Sequence, residues 1–254
     1  MKALITGASS GIGKEMAYYL SEKGYDLILV SRNINALNSI KEKCNTCIRV
    51  INLDLSINEN VYKLYNLTKE EDIDILINNA GYGLFGNFID TDLDRELNMI
   101  NLNIVAVHIL TKLFLKDFVL KDKGYILNVA SSAGFMAGPK LSTYYSTKNY
   151  VLKSSLAIYE ELRRMKSNVR ISVLCPGPVD TNFNNVAGGS FNTKAVSSKY
   201  VAKYAIDNML NCKLIIIPSL KIKLAVFMTR FIPIKFLLKI NYNIQNTKIK
   251  NYSK

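Results

Sequence analysis

Histidine is almost absent: the chain of 254 residues holds one, His108. A hydrolase built on a Ser-His-Asp relay would need that residue as its base, and no G-x-S-x-G elbow accompanies it, so hydrolysis is not the expected chemistry. His108 falls mid-helix and reads as a partly buried helix residue. The four cysteines do not form a secreted disulfide framework in a chain this long. Cys44 and Cys47 make one C-x-x-C, with no second pair and only one histidine in the chain to complete a zinc set, and they read as ordinary loop cysteines. Acidic residues stop at Asp207, while nine lysines and arginines follow it. Of the net charge of +13, only about +4 belongs to the first 207 residues, so a nearly neutral body carries a basic tail. No uncharged run approaches the ~20 residues of a spanning helix. The chain starts directly on an apolar strand, without the charged, apolar and small-residue pattern of a leader. A cytosolic compartment is expected.

Apolar residues make up 49% of the chain, enough for a full core. Six short runs rich in Ile, Leu and Val read as strands: "KALIT", "DLILV", "CIRVINLD", "IDILINN", "GYILNVA" and "RISVLCP"; "KLIIIP" is a seventh. Between the first two, Ile12, Met16, Tyr19 and Leu20 share one helical face, and Gly24 ends that helix. Longer helical patterns occupy 90–120, 144–165 and 195–211. Strands apolar on both faces, alternating with helices, predict a parallel sheet of about seven strands with helices on both faces, joined by right-handed crossovers. No repeat or linker divides the chain. Residues 1–212 read as one α/β, Rossmann-type doubly wound domain; 213–254 supply its last strand and a basic, apolar extension.

"TGASSGIG", Thr6 to Gly13, lies where the first strand turns into the first helix. Gly7 permits the tight turn, Gly11 lets a phosphate approach the backbone, and Gly13 lets helix and strand pack closely. The helix N-terminus offers free N–H groups to a pyrophosphate. "STYYSTK" (142–148) places Lys148 within a helical turn of both Tyr144 and Tyr145. An ammonium there favours a phenolate and should draw a tyrosine pKa toward neutrality. Both spacings fall on one face, so geometry does not choose between the two.

With its G-x-x-x-G-x-G turn, "NNAG" at 78–81, Tyr144-x-x-x-Lys148 and "PGPVDT" at 176–181, the sequence resembles the short-chain dehydrogenase/reductase family, in its shorter branch, from residue 2 to about 217. The resemblance picks Tyr144 as the acid/base. Ser131, thirteen residues earlier, would stabilise the reacting oxygen, and Lys148 would also hold the nicotinamide ribose. Asn103 would anchor a water in the proton relay, ahead of its neighbour Asn101. Tyr145 becomes a packing or pocket residue. For the cofactor, the resemblance implies Gly7, Ser9, Ser10, Gly11, Ile12 and Gly13 at the pyrophosphate. Asp54 would accept from the adenine amine, Asn79, Ala80 and Gly81 would line the adenosine ribose, and Pro176, Gly177, Val179 and Thr181 would flank the nicotinamide. The second strand ends "LVSRN", without the carboxylate that binds a ribose 2′-OH but with Arg32, which favours NADP(H) over NAD(H).

The expected activity is reduction of a ketone or aldehyde, lipophilic or 3-oxoacyl, or the reverse oxidation. Competing readings are a non-catalytic NADPH-binding sensor or scaffold, and a peripheral membrane protein acting through its tail. Retention of Asn103, Ser131, Tyr144 and Lys148 together speaks against the scaffold, which needs only the glycine turn. The segment 181–198 could form a hinged lid through Phe183, Val186 and Phe191, or a surface loop. In the tail, Pro233 separates two short helices. Across 219–245 they suit a membrane interface, or packing on the body or a subunit with lysines reaching outward. The aromatics make no stacking platform, so nucleic acid is not an expected partner. The family resemblance implies a homodimer or homotetramer through the helices at 90–120 and 144–165.

Overall fold

Period-two alternation in β1 (Lys2–Thr6) sends Ala3 and Ile5 to one side of a sheet and Leu4 to the other. Both sides are dry, and that requires helices on each. The computed structural model describes residues 1–183, 187–188 and 195–250. β1 pairs with β2 (Asp26–Ser31) and β4 (Ile75–Asn78), and β2 pairs with β3 (Ile48–Asn52). On the other side β5 (Tyr125–Val129), β6 (Arg170–Leu174) and β9 (Ile215–Ile216) follow, giving one parallel seven-stranded sheet in the order β3-β2-β1-β4-β5-β6-β9. The expected seven-stranded, doubly wound sheet is the observed one. The last strand is shorter than its apolar run, since as an edge strand it finds a ladder partner only in Val173 and Leu174 of β6.

One core layer packs α1 (Gly11–Glu22), through Met16 and Leu20, with α7 (Ser198–Leu210), through Val201, Ile206 and Met209. The opposite layer gathers α3 (Asn58–Thr68), α5 (Val107–Lys121) and α6 (Ser142–Arg164) around Leu64, Phe114, Phe118 and Leu162. A shorter helix, α2 (Ile34–Lys41), follows β2. The helical pattern at 90–120 resolves into α4 (Leu93–Ile100), a π-helical stretch at Asn101–Ala106, and α5. Such widened turns in a helix frequently mark functional sites. His108 is exposed rather than partly buried: its Nδ1 lies 2.7 Å from the Tyr150 hydroxyl on neighbouring α6, away from the sheet. Cys44 and Cys47 are free thiols in the loop between α2 and β3.

Chain order reverses between β1 and β4, and there the strand ends diverge into a crevice. A two-stranded ladder, β7 (Val179–Asp180) with β8 (Val196–Ser197), brackets the segment read as a lid. Phe183 lies beside the crevice, whereas Val186 and Phe191 lie outside the described residues. Beyond β9 the tail forms α8 (Leu220–Met228) and α9 (Ile234–Lys250). No helix among the described residues is long and apolar enough to cross a membrane.

Candidate active site

A continuous cleft of about 450 Å³ runs along the carboxyl ends of the strands, from Arg32 and Asp54 to Tyr144 and Phe183. It is lined by Gly7, Ser9, Ser10, Gly11 and Ile12 of the glycine turn and by Asn79, Ala80 and Gly81 after β4. Ser131, Tyr144 and Lys148 line it too, with Pro176, Gly177, Val179 and Thr181. Of the residues expected at the site, Gly13 and Asn103 stand just behind this lining.

The glycine turn needs its glycines. Gly7 has φ +64° and Gly11 φ +55°, and a Cβ on Gly7 would sit 2.7 Å from the Ala80 backbone. Gly13 is pressed against the Gly7 carbonyl, 2.5 Å from where a Cβ would be. Ser10 caps α1 without any side-chain hydrogen bond, and the first turn carries no acidic residue, so the helix N-terminus faces the cleft electropositive and unblocked. Thr6 and Asn79 stitch the two loops together. The Thr6 hydroxyl accepts from the amides of Asn79 and Ala80 at 3.0 and 3.1 Å, and the Asn79 side-chain amide donates to the Thr6 and Gly7 carbonyls at 3.0 Å. Asn79 itself lines the cleft, and its NH2 group holds the turn.

At the rim, Arg32 is 66% exposed at its side chain and reaches Asp54 at 3.5 Å. Burial works to raise the Asp54 pKa, but the hydroxyl and amide of Ser56 and the Arg32 guanidinium outweigh it and hold the carboxylate below its usual range.

At the other end, α6 starts beside the loop after β5. Its first turns point Tyr144 and Lys148 into the cleft, and the two tyrosines part company. Tyr144 faces Ser131, whose hydroxyl also accepts from the Ala133 amide at 3.1 Å and lies 3.5 Å from the Pro176 carbonyl. The Phe183 ring covers Tyr144 at 5.3 Å between centroids. Tyr145 turns away toward the C-terminal helix, where its hydroxyl accepts from Gln245 Nε2 at 2.6 Å. Lys148, only 5% exposed, donates from Nζ to the Val129 carbonyl at 2.9 Å and lies 5.9 Å from the Tyr144 ring centroid. Burial pushes its pKa down to about 8. Burial pushes the Tyr144 pKa well above the ordinary tyrosine value, against the downward pull expected of Lys148, and the opposing influence is Ser131.

Asn103 is fully buried in the π-helical stretch. Its Oδ1 accepts from the Tyr82 amide at 3.1 Å, and its Nδ2 donates to the Tyr82 carbonyl at 2.9 Å and the Thr147 hydroxyl at 3.1 Å. That side chain therefore clamps the loop after β4 onto α6. Tyr82, Thr147 and Gln245 are site residues that the sequence reading missed. The first two flank recognised motifs and could have been found there; nothing local signals the third. Among the described residues no group of His, Cys, Asp and Glu side chains is placed to hold a metal ion.

The short chain dehydrogenase family model matches residues 1–189, and the chain belongs to that family. It is 32% identical over 181 residues to an uncharacterised oxidoreductase of Staphylococcus epidermidis, covering 70% of this chain and 78% of that one. A very-long-chain 3-oxoacyl-CoA reductase of Rattus norvegicus is 34% identical over 169 residues. That match takes in 63% of this chain, which spans about half of the rat protein's length, 54%. Among solved structures, a short-chain dehydrogenase from Sphingobium yanoikuyae in complex with NADPH superposes with a TM-score of 0.81 at 28% identity, covering 86% of this chain and 88% of that one. The chain is thus an oxidoreductase that interconverts carbonyl and alcohol groups with a nicotinamide dinucleotide. The strained glycine cradle and the unblocked helix N-terminus fit the pyrophosphate of such a cofactor.

Proposed function

We propose that this protein reduces the carbonyl group of an apolar substrate with NADPH, or oxidises the matching alcohol, with Tyr144 as the acid/base. The observation that carries this reading is the position of Tyr144 beside Ser131, Lys148 and Phe183, at the opposite end of the cleft from Arg32 and the glycine turn.

Gly7, Gly11 and the start of α1 would hold the pyrophosphate, Arg32 a 2′-phosphate, and Asp54 the adenine amine. Ala80, Gly81 and Lys148 would hold the riboses, and Pro176 to Thr181 the carboxamide. The bound nicotinamide supplies the hydride. With its pKa raised, Tyr144 is a neutral phenol at physiological pH and is ready to give its proton to the carbonyl oxygen. The Ser131 hydroxyl donates to the same oxygen and stabilises the charge that develops there. The Lys148 ammonium favours the phenolate that Tyr144 becomes, and so lowers the cost of the transfer. Asn103 positions both partners by fixing Tyr82 and Thr147. Support for NADP(H) is the absence of a carboxylate at the end of β2 together with Arg32. Support for an acyl or bulky apolar substrate is the lining of Leu141, Tyr145 and Phe183 near Tyr144, and the similarity to the rat reductase.

NADPH oxidation across ketones, aldehydes and 3-oxoacyl thioesters tests the proposal. Tyr144→Phe should lose roughly 10²–10⁴-fold in turnover while its affinity for NADPH stays near that of the native protein. An active Tyr144→Phe beside a dead Tyr145→Phe would overturn the assignment. NADPH binding with no turnover of any carbonyl would favour the sensor reading.

We also propose that the protein is cytosolic and peripheral at an anionic membrane surface, through 219–245. The supporting observation is the exposure of Leu220, Leu224, Phe227, Phe231, Ile234 and Phe236 beside Lys221, Lys223, Arg230, Lys235 and Lys239, with no acid in the tail. A homodimer or homotetramer through the faces of α4 to α6 completes the proposal; light scattering on the purified protein would read it, and a monomer would refute it.

A further inference from the structure

The C-terminal helix carries one polar side chain into the cleft that the reaction as described leaves unused. Leu237, Asn241 and Gln245 recur every fourth residue of α9 and form its buried stripe. Asn241 docks the helix, donating from Nδ2 to the Ala137 carbonyl at 2.8 Å. Gln245, only 3% exposed, lines the cleft. Its Nε2 is engaged with Tyr145, but its Oε1 is buried and has no hydrogen-bond partner among the described residues. Native proteins rarely leave a buried amide oxygen unpaired. Because Gln245 donates to Tyr145, the hydroxyl hydrogen of Tyr145 also remains to be given elsewhere.

We infer that Gln245 and Tyr145 form a substrate subsite for a neutral group that both donates and accepts, a hydroxyl or a primary amide, at a fixed distance from the reacting carbonyl. Resting on the reductase reading, this adds that the substrate is apolar near Tyr144 and carries a second polar group facing α9. An N–H or O–H would give its hydrogen to Gln245 Oε1, and the adjoining oxygen would receive that of Tyr145. A carboxylate fits poorly, since its lone pairs would face those of Oε1.

The test compares alkyl ketones with the same ketones bearing a hydroxyl, a primary carboxamide or a carboxylate at successive positions along the chain. At one position the hydroxyl or carboxamide ketone should show a KM roughly tenfold below its parent, the worth of a well-made hydrogen bond to a buried partner. The carboxylate should show no gain. Gln245→Met, close in shape but without the amide, should erase that gain, so that substituted and parent ketones share one KM whatever the variant's rate on the parent. An unchanged affinity for NADPH reports that the variant is folded. No gain at any position, or a gain that survives in Gln245→Met, would overturn the subsite. If not even the parent ketones are reduced, the reductase reading fails instead. The subsite is then read from melting temperature, which the substituted ketone should raise above its parent in the native protein and not in the variant.

Discussion

Lys148 is the residue whose surroundings matter most. It is buried with its Nζ on a backbone carbonyl, and burial depresses its pKa to about 8. In the unfolded chain the same amine holds its proton to about pH 10.4. Between those values the unfolded state binds more protons, so stability should rise with pH across about 8 to 10.4, and below 8 the buried ammonium is a standing cost. Lys148→Met should therefore raise the melting temperature of the cofactor-free protein at neutral pH and flatten its pH dependence above 8. A melting temperature that falls, or a slope that persists, would show the ammonium to be stabilised by its neighbours. The same proton should set the alkaline limb of the reaction. With the cofactor limiting, so that the free enzyme is reported, kcat/KM for reduction should fall through about pH 8 as the ammonium is lost. A profile flat to pH 9.5 would discount its role. Arg32 is the other single residue with a separable task. Arg32→Asp removes the guanidinium and sets a carboxylate against a 2′-phosphate, so the NADPH/NADH ratio of kcat/KM should drop by at least about tenfold. An unchanged ratio would leave Arg32 a rim residue bound to Asp54.

Among the elements, the strand-end loops were the most legible. Gly7, Gly11 and Gly13, the "NNAG" run and Tyr144 with Lys148 are each set by short-range constraints: a positive φ, a close backbone approach, one helical turn. The sequence also placed the six central strands, because strands buried on both faces must be apolar throughout. It could not show that Asn103 is consumed by Tyr82 and Thr147, since that depends on how α6 meets the π-helical stretch. Nor could it weigh burial against the ammonium at Tyr144, which needs the surrounding walls. Least visible was α9, whose Gln245 meets Tyr145 across a hundred residues of chain. The docking of that helix has a tight point. The Tyr145 ring lies against Gly138, where an added Cβ would come within 2.4 Å of it. Gly138→Ala should shift the ring, cost about 1–3 kcal/mol as overpacking does, and raise KM with little change in the affinity for NADPH. Chemical denaturation beside steady-state kinetics would check this. An unchanged stability would mean that the loop yields freely.

At the scale of the whole molecule, charge and apolar exposure segregate together. The body is nearly neutral, and the tail unites its cations with exposed rings, Phe227 and Phe231 packing edge to face at 5.3 Å. Each lysine or arginine near an anionic bilayer contributes on the order of 1 kcal/mol. The intact protein should therefore sediment with vesicles containing phosphatidylserine, less so with phosphatidylcholine alone, and less as salt rises. Replacing Phe227, Phe231 and Phe236 by Ser should weaken the binding without altering turnover of a soluble ketone. Failure of the native protein to bind would end the membrane proposal.

The placement of α9 also bears on how genes for such proteins are compared. Every recognised motif lies before residue 182, yet Gln245 completes one wall of the cleft. A frameshift or late stop codon could spare the whole matched region, pass as an intact reductase in a genome survey, and still yield a protein open at the end where its substrate is chosen. Selection for a new substrate could act on the same stretch, editing the last forty residues while the inherited catalytic machinery stays as it is.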